Sequence, residues 1–268
     1  MRNRPWPADL DSYSSLIGVN TFMVQGPGGN TSFKDGKIMW VKASGTRLAD
    51  AVTKEIFAGV NVNNGDSDET PSQLRPSIEK DFHLLIPFPY VVHTHSLRAI
   101  SMGIESNFGS KSSNFPLFAF VPYARPGGDL CNLIAQKIDF KVHTAAILQN
   151  HGFLTWGNTM EEAYEKLKQF EGGIVVPDSA EQLELYNSKY LHHPKAVTPD
   201  YAVFLSTVTE KEIMNFSGKN LWKKQMYLVA QKAATLLEKN LNINYLSDEE
   251  VNSLQNWESE KFRVAANE

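Results

Sequence analysis

The sequence is poor in the features that mark several large protein classes. Its 268 residues include one cysteine, Cys131, which excludes an internal disulfide, a cysteine-rich zinc knuckle and a paired redox motif; a lone cysteine of this kind reads as a small buried hydrophobe. Lys and Arg number 26 against 30 Asp and Glu, a net charge of −4. With no basic run either, nothing draws in a polyanion, so nucleic acid is not an expected partner. No stretch reaches about 18 uninterrupted apolar residues, so no membrane span is expected. Residues 1–10 hold two arginines and two prolines but no apolar core of a signal peptide, and the expected compartment is the cytoplasm. Repeats and low-complexity segments are missing, as are the G-x-G-x-x-G and Walker fingerprints of nucleotide sites.

What is present suits a globular enzyme. The chain is 42% hydrophobic and 11% aromatic, enough for a sizeable core, and it reads as a single domain over 1–268, with a motif-bearing part over about 20–170 and a helical extension over about 183–268. The apolar run at 91–96, Val-Val-His-Thr-His-Ser, predicts a strand. Residues i and i+2 of a strand leave the same face, so His93 and His95 present two imidazoles to one point, as a divalent metal would need. An isolated His-x-His is more often a pair of ordinary histidines, and it gains meaning only from its surroundings.

Those surroundings are two small-residue turns and two further candidates. Residues 25–32 (Gln-Gly-Pro-Gly-Gly-Asn-Thr-Ser) and 43–46 (Ala-Ser-Gly-Thr) flank a hairpin signalled by Asp35-Gly36, and turns of this composition can offer backbone N–H groups and hydroxyls to an anion. A helix is expected from Ser77 as its N-cap to just before Pro87, placing Glu79 in its first turn with His83 one turn on. His151 sits between the strands expected at 144–148 and 153–156, next to Gly152. A loop is expected over 60–75. Asp129 is expected to cap a helix to about Lys137, Thr159 with Glu162 to box a helix through Phe170, and Ser247 with Glu250 to cap the last helix. Helical spacing of apolar residues marks 220–241. The adjacent His192 and His193 would point apart in an extended chain and are not expected to form a second metal site. Three imidazoles with a carboxylate nearby suit a catalytic ion that polarises a carbonyl, with Glu79 as the proton-transfer group.

Gly28-Gly29-Asn30-Thr31-Ser32, Lys42-Ala43-Ser44-Gly45-Thr46, Pro76-Ser77-Ile78-Glu79, His93-Thr94-His95 and Asn150-His151-Gly152-Phe153 together resemble the class II aldolase and adducin family of metal-dependent sugar-phosphate enzymes. In flavour they look most like the aldolase half of bacterial rhamnulose-phosphate aldolase/dehydrogenase proteins, and they are also similar to fuculose-phosphate aldolase. The resemblance implies a three-layer αβα sandwich around a central, largely antiparallel sheet, and a homotetramer. It implies Zn²⁺ or another divalent ion on His93, His95 and His151, and Glu79 as acid/base. It also implies a phosphate pocket of Asn30, Ser44, Gly45 and Ser77, and a phosphorylated ketose cleaved to dihydroxyacetone phosphate and an aldehyde. Glu79 favours the aldolases over the 4-epimerases, which tend to carry aspartate there. Ile78 departs from the serine of fuculose-phosphate aldolases, and their tyrosine proton donor has only Tyr123 as a candidate counterpart. Epimerase, decarboxylase, dehydratase and non-catalytic scaffold remain open alternatives.

Overall fold

The structure, a computed structural model, describes residues 4–67, 74–109, 114–172, 195–237 and 243–268. The Asp35-Gly36 turn forms as its sequence implies. Asp35 Oδ1 accepts from the amides of Lys37 (3.0 Å) and Ile38 (2.9 Å), while Gly36 takes a left-handed φ of 96° that a side chain would resist. The turn joins β1 (Asn30–Lys34) to β2 (Ile38–Lys42). Outside β2 lies β3 (Phe57–Asn61), where Val60 pairs with Met39 and Asn61 with Ile38. Residues 60 and 61 therefore belong to the sheet and not to the loop expected at 60–75. Ala58 and Gly59 hide this strand from propensity; cross-strand pairing decides it.

On the other side of β1 come β4 (Tyr90–Thr94), β7 (Gly152–Gly157), β6 (Ala145–Leu148) and β5 (Phe118–Val121), so the seven strands run in the order β3-β2-β1-β4-β7-β6-β5. All pairings are antiparallel except β5 with β6. The sheet is thus mixed, and largely antiparallel as expected.

Strand alternation sorts the apolar side chains into two layers. Trp40, Val92, Ile147 and Phe153 pack against α1 (Ala8–Gly18) and α5 (Met160–Phe170), through Leu10, Ile17, Ala163 and Leu167. Val91, Val121, Leu154 and Trp156 face α2 (Lys80–Leu85) and α4 (Gly128–Lys137), through Phe82, Ile86, Leu130 and Ile134. Each such fully buried side chain contributes about 1.5–3 kcal/mol, which is why an αβα sandwich is the stable arrangement of these patterns.

A third cluster is helical. Ile100 on α3 (Leu97–Gly103) and the nearby Ile104 pack with α6 (Pro199–Phe204), α7 (Glu210–Met214) and α8 (Leu221–Leu237), using Tyr201, Phe204, Trp222 and Tyr227. Then follow α9 (Asp248–Asn256) and α10 (Glu258–Ala265). Ser247 and Glu250 make the full reciprocal box on α9. Thr159 caps α5, but the Glu162 carboxylate turns to the Asn158 amide instead (2.8 Å). Asp129 is not a cap: α4 starts at Gly128 after Gly127, whose φ of 93° needs a glycine, and Asp129 pairs with Arg125 (3.1 Å). His192, His193, the start of the extension at 183 and residues 238–241 of the helix expected over 220–241 lie outside the described residues. Among the described residues no helix is long and apolar enough to cross a membrane.

Candidate metal centre

Register brings the histidines together. Val91 points to the α2 side of the sheet, and His93 follows it; β4 ends at Thr94, so His95 sits just past the strand end. β7 approaches that end closely: a Cβ on Gly152 would lie 2.1 Å from Thr94 O. The chain enters β7 through Asn150, held at a left-handed φ of 54°. Its side-chain amide donates to Val197 O (2.9 Å) and Asn244 O (2.7 Å). His151 follows, and the three ring centroids lie 4.8–5.0 Å apart. Glu79, His93, His95 and His151 are all buried, and each offers one ligand atom within 4.8 Å of the others.

The proton positions suit a cation. His93 Nδ1 donates to Phe153 O (3.0 Å), and His95 Nδ1 lies 3.0 Å from Asp200 Oδ2, an acceptor-only oxygen that places the ring proton on Nδ1. Both Nε2 atoms are then bare lone pairs, yet they lie only 3.1 Å apart. Two acceptors at that distance repel unless a proton or a metal ion lies between them. Burial pushes the His93 pKa well below its ordinary value, which keeps the ring neutral as a ligand must be. The donor set, three imidazoles and one carboxylate, therefore fits a divalent ion such as zinc.

Glu79 does not lie inside the helix. Ser77 Oγ accepts from the Glu79 amide (3.2 Å) and the Lys80 amide donates to Ser77 O (3.1 Å). This turn delays α2 to Lys80, so Glu79 and not Ser77 is the flanking residue. One carboxylate oxygen, Oε2, accepts from Asn30 Nδ2 (2.7 Å). Asn30 Oδ1 accepts in turn from His83 Nε2, and His83 Nδ1 accepts from Ser32 Oγ (2.7 Å). Burial takes the His83 pKa down to about 3, consistent with a neutral ring that donates on one side and accepts on the other. The other oxygen, Oε1, lies 3.2 Å from His151 Nε2 and has no well-aligned hydrogen bond among the described residues. Burial would raise the Glu79 pKa, but the imidazoles of His93, His151 and His95 outweigh it and hold the carboxyl well below its ordinary range.

A narrow pocket opens beside this cluster. Asn30, Ser44, Gly45 and Ser77 all line it, together with Glu79, His95 and His151. Ser44 Oγ is buried without a hydrogen-bond partner among the described residues. Asn30 has its side chain committed to Glu79 and His83. Lys42, also on the wall, clamps the two small-residue turns by donating to Pro27 O (2.8 Å) and Thr46 O (2.7 Å). Its burial takes the ammonium pKa down to about 7. Tyr123 lies elsewhere, in a groove with Arg125, Asp129, Glu249 and Glu250, and the structure does not bring it to the histidines.

The helical part supplies the wall that the motifs did not announce. Asp200 and Arg263 line the pocket; Arg263 Nη2 donates to Asp200 Oδ1 (2.7 Å), and Nη1 donates to both oxygens of Glu260 (3.0 and 2.8 Å). Burial would raise the Asp200 pKa, but Arg263 and His95 override it and the carboxyl stays ionised. Burial pushes Glu260 up to about 6. From sequence, Asp200 in Thr198-Pro199-Asp200 reads only as an acidic first-turn residue after a cap and a proline. Arg263 reads as an ordinary basic residue near a helix end.

Three comparisons bear on identity. The family model for the class II aldolase and adducin N-terminal domain matches residues 13–173. The chain is 30% identical over 209 residues to the uncharacterized oxidoreductase YuxG of Bacillus subtilis, covering 66% of this chain and spanning only 30% of that protein's length. It is 28% identical over 158 residues to an L-fuculose phosphate aldolase of Methanococcus maripaludis, covering 55% of this chain and 83% of that protein. Among solved structures, the N-terminal class II aldolase domain of a conserved Thermoplasma acidophilum protein shares the fold, with a TM-score of 0.50 at 24% identity over 64% of this chain and 98% of that one. The family match spans the glycine turns, Glu79 and all three histidines, and the chain belongs to the class II aldolase and adducin family.

Proposed function

We propose that this chain is a metal-dependent aldolase that cleaves a ketose 1-phosphate, of the rhamnulose or fuculose type, into dihydroxyacetone phosphate and an aldehyde. The observation that carries this reading is the convergence of Glu79, His93, His95 and His151 beside a pocket whose walls include Ser44, Gly45, Ser77, Lys42 and Arg263. In this reading His93, His95 and His151 hold Zn²⁺ or another divalent ion, which when bound supplies Lewis-acid polarisation of the substrate's carbonyl and neighbouring hydroxyl oxygens.

The chain's own groups handle the protons. In the cleavage direction the hydroxyl proton on the aldehyde-forming carbon is removed, and the carbon–carbon pair passes to the three-carbon fragment. That fragment then takes a proton at carbon to become dihydroxyacetone phosphate. Asn30 fixes Oε2 of Glu79 and leaves Oε1 free to hold or deliver that proton. Ser44 Oγ, buried and unpartnered among the described residues, is a ready donor to a phosphate oxygen, with Gly45 and Ser77 beside it. Asn30 would reach the phosphate only by releasing Glu79. Within one chain Tyr123 does not line this pocket. The expected homotetramer belongs to the same proposal and is checked by sedimentation.

The test is a coupled assay of the metal-loaded chain against phosphorylated ketoses, with the unphosphorylated sugars alongside. Release of dihydroxyacetone phosphate is the expected result. A product of unchanged carbon number would sink the aldolase reading in favour of an epimerase or a dehydratase. A chain that retains less than about one tenth of an equivalent of metal, with none restorable, would favour a scaffold, since a three-histidine site should bind well.

A further inference from the structure

We infer that Asp200 is a positioning residue for the metal ligand His95, so that the helices beyond the family match form part of the metal-binding unit. This rests on the metal reading of the His–Glu cluster. His95 differs from its two neighbours in what holds its second nitrogen. His93 Nδ1 donates to a backbone carbonyl of β7, Phe153 O. His151 Nδ1 is buried with no partner among the described residues. His95 Nδ1 alone faces a carboxylate, Asp200 Oδ2 at 3.0 Å. An ionised carboxylate only accepts, so the imidazole proton must sit on Nδ1, and Nε2 is left bare toward the ion. A carboxylate behind a ligating histidine also raises the basicity of its free nitrogen.

The surrounding structure is shaped for this pair. Asp200 is 3% exposed, and a lone carboxylate so deeply placed would be unstable without a counter-charge. Arg263 supplies it across 63 residues of sequence at 2.7 Å, and Glu260, one helical turn before Arg263, fixes the guanidinium through both carboxylate oxygens. On the opposite side, a Cβ on Gly28 would lie 2.7 Å from both Asp200 Oδ2 and His95 Nδ1. The first small-residue turn thus leaves just the room that this 3.0 Å contact occupies. The Asn150 amide ties the His151 turn to Val197 O and Asn244 O of the same helical part, so two of the three histidines lean on it.

The test is the Co²⁺ and Zn²⁺ affinity of the metal-stripped full chain, read by competition with a chromophoric chelator, together with the visible spectrum of the Co²⁺ form. Asp200→Asn keeps the shape and removes the charge; it is expected to bind either ion 10- to 100-fold more weakly, as loss of such an outer partner does, and to show an altered Co²⁺ spectrum. Asp200→Glu should recover part of the affinity. A merely structural ion pair would lower the melting temperature of Asp200→Asn and leave the affinity and spectrum as in wild type, and that result overturns the inference. If Asp200→Asn does not fold, Gly28→Ala reads the same contact with Asp200 and Arg263 in place, and unchanged affinity and spectrum there overturn it equally. Wild type that binds neither ion would instead refute the metal reading itself.

Discussion

The sheet and the C-terminal helices hold their shares of the site by different physics. In the sheet, His93 is set by strand register and a backbone carbonyl, and His151 by a left-handed residue and a glycine that admits Thr94 O. These are neutral, geometric devices. In the helices, Asp200, Glu260 and Arg263 are set by one another's charges in a buried trio. Removing one member of such a group leaves the others uncompensated, at a cost of about 3–5 kcal/mol, whereas a register-held group depends on the whole ladder. The sheet should therefore dominate whether the chemistry exists, and the helices how firmly it is tuned and over what pH.

The largest effect belongs to the sheet. His93→Ala should lose both bound metal and cleavage, measured by metal analysis and by dihydroxyacetone phosphate release; metal retained at full stoichiometry would show that register does not define the ligand set. Next, Glu79→Gln should keep its metal and lose turnover by roughly 10²-fold or more, the usual contribution of a positioned acid/base. Its amide can still meet Asn30, so geometry is conserved while proton transfer is not. Turnover within a few-fold of wild type would remove Glu79 from the mechanism.

What could be seen in the sequence follows the same division. His93-Thr94-His95, Glu79, His151 and the Asp35-Gly36 hairpin were legible because period-two alternation and turn chemistry are local. The family motifs supplied the layer order. β3 was not legible, because Phe57–Asn61 owes its conformation to pairing with β2. Nor was the start of α2, because the Ser77 hydroxyl goes to Glu79 N rather than to a helix already begun. Asp200 and Arg263 were hidden for a stronger reason. Ion pairs across 63 residues leave no period or spacing to read, and each residue alone is an ordinary choice for its helix.

The charged trio adds a pH response of its own, below the range in which the buried neutral rings of His83 and His93 already withdraw stability. Burial would raise the Asp200 carboxyl, but Arg263 and His95 hold it below its ordinary 3.8. A carboxylate whose folded pKa is depressed contributes stability that is fully present above the unfolded value and is withdrawn as pH falls toward the folded one. The metal-stripped chain should lose melting temperature from pH 6.5 downward as His83 and His93 protonate on unfolding and more steeply below about pH 4 through Asp200, and Asp200→Asn, which has no carboxylate there to protonate, should follow a flatter limb in that lower range. Parallel limbs would place the acid sensitivity elsewhere and break the contrast between the two regions.

The smallest effect separates support of the helices from support of the ligand. Ser247 caps α9 through the Glu250 amide (3.2 Å), and α9 braces α6, the helix of Asp200, through Gln255 Nε2 to Ala202 O (3.2 Å) and Ser206 Oγ (2.6 Å). Ser247→Ala removes one cap and should cost about 1 kcal/mol, roughly 2–4 °C in melting temperature for a chain of this size. It leaves the contact of Asp200 with His95 untouched, so Co²⁺ affinity should stay at the wild-type value. If affinity fell along with the melting temperature, the helices would be acting on His95 through their packing as a whole rather than through one carboxylate. The two variants measured side by side, one on the cap and one on the charge, decide which.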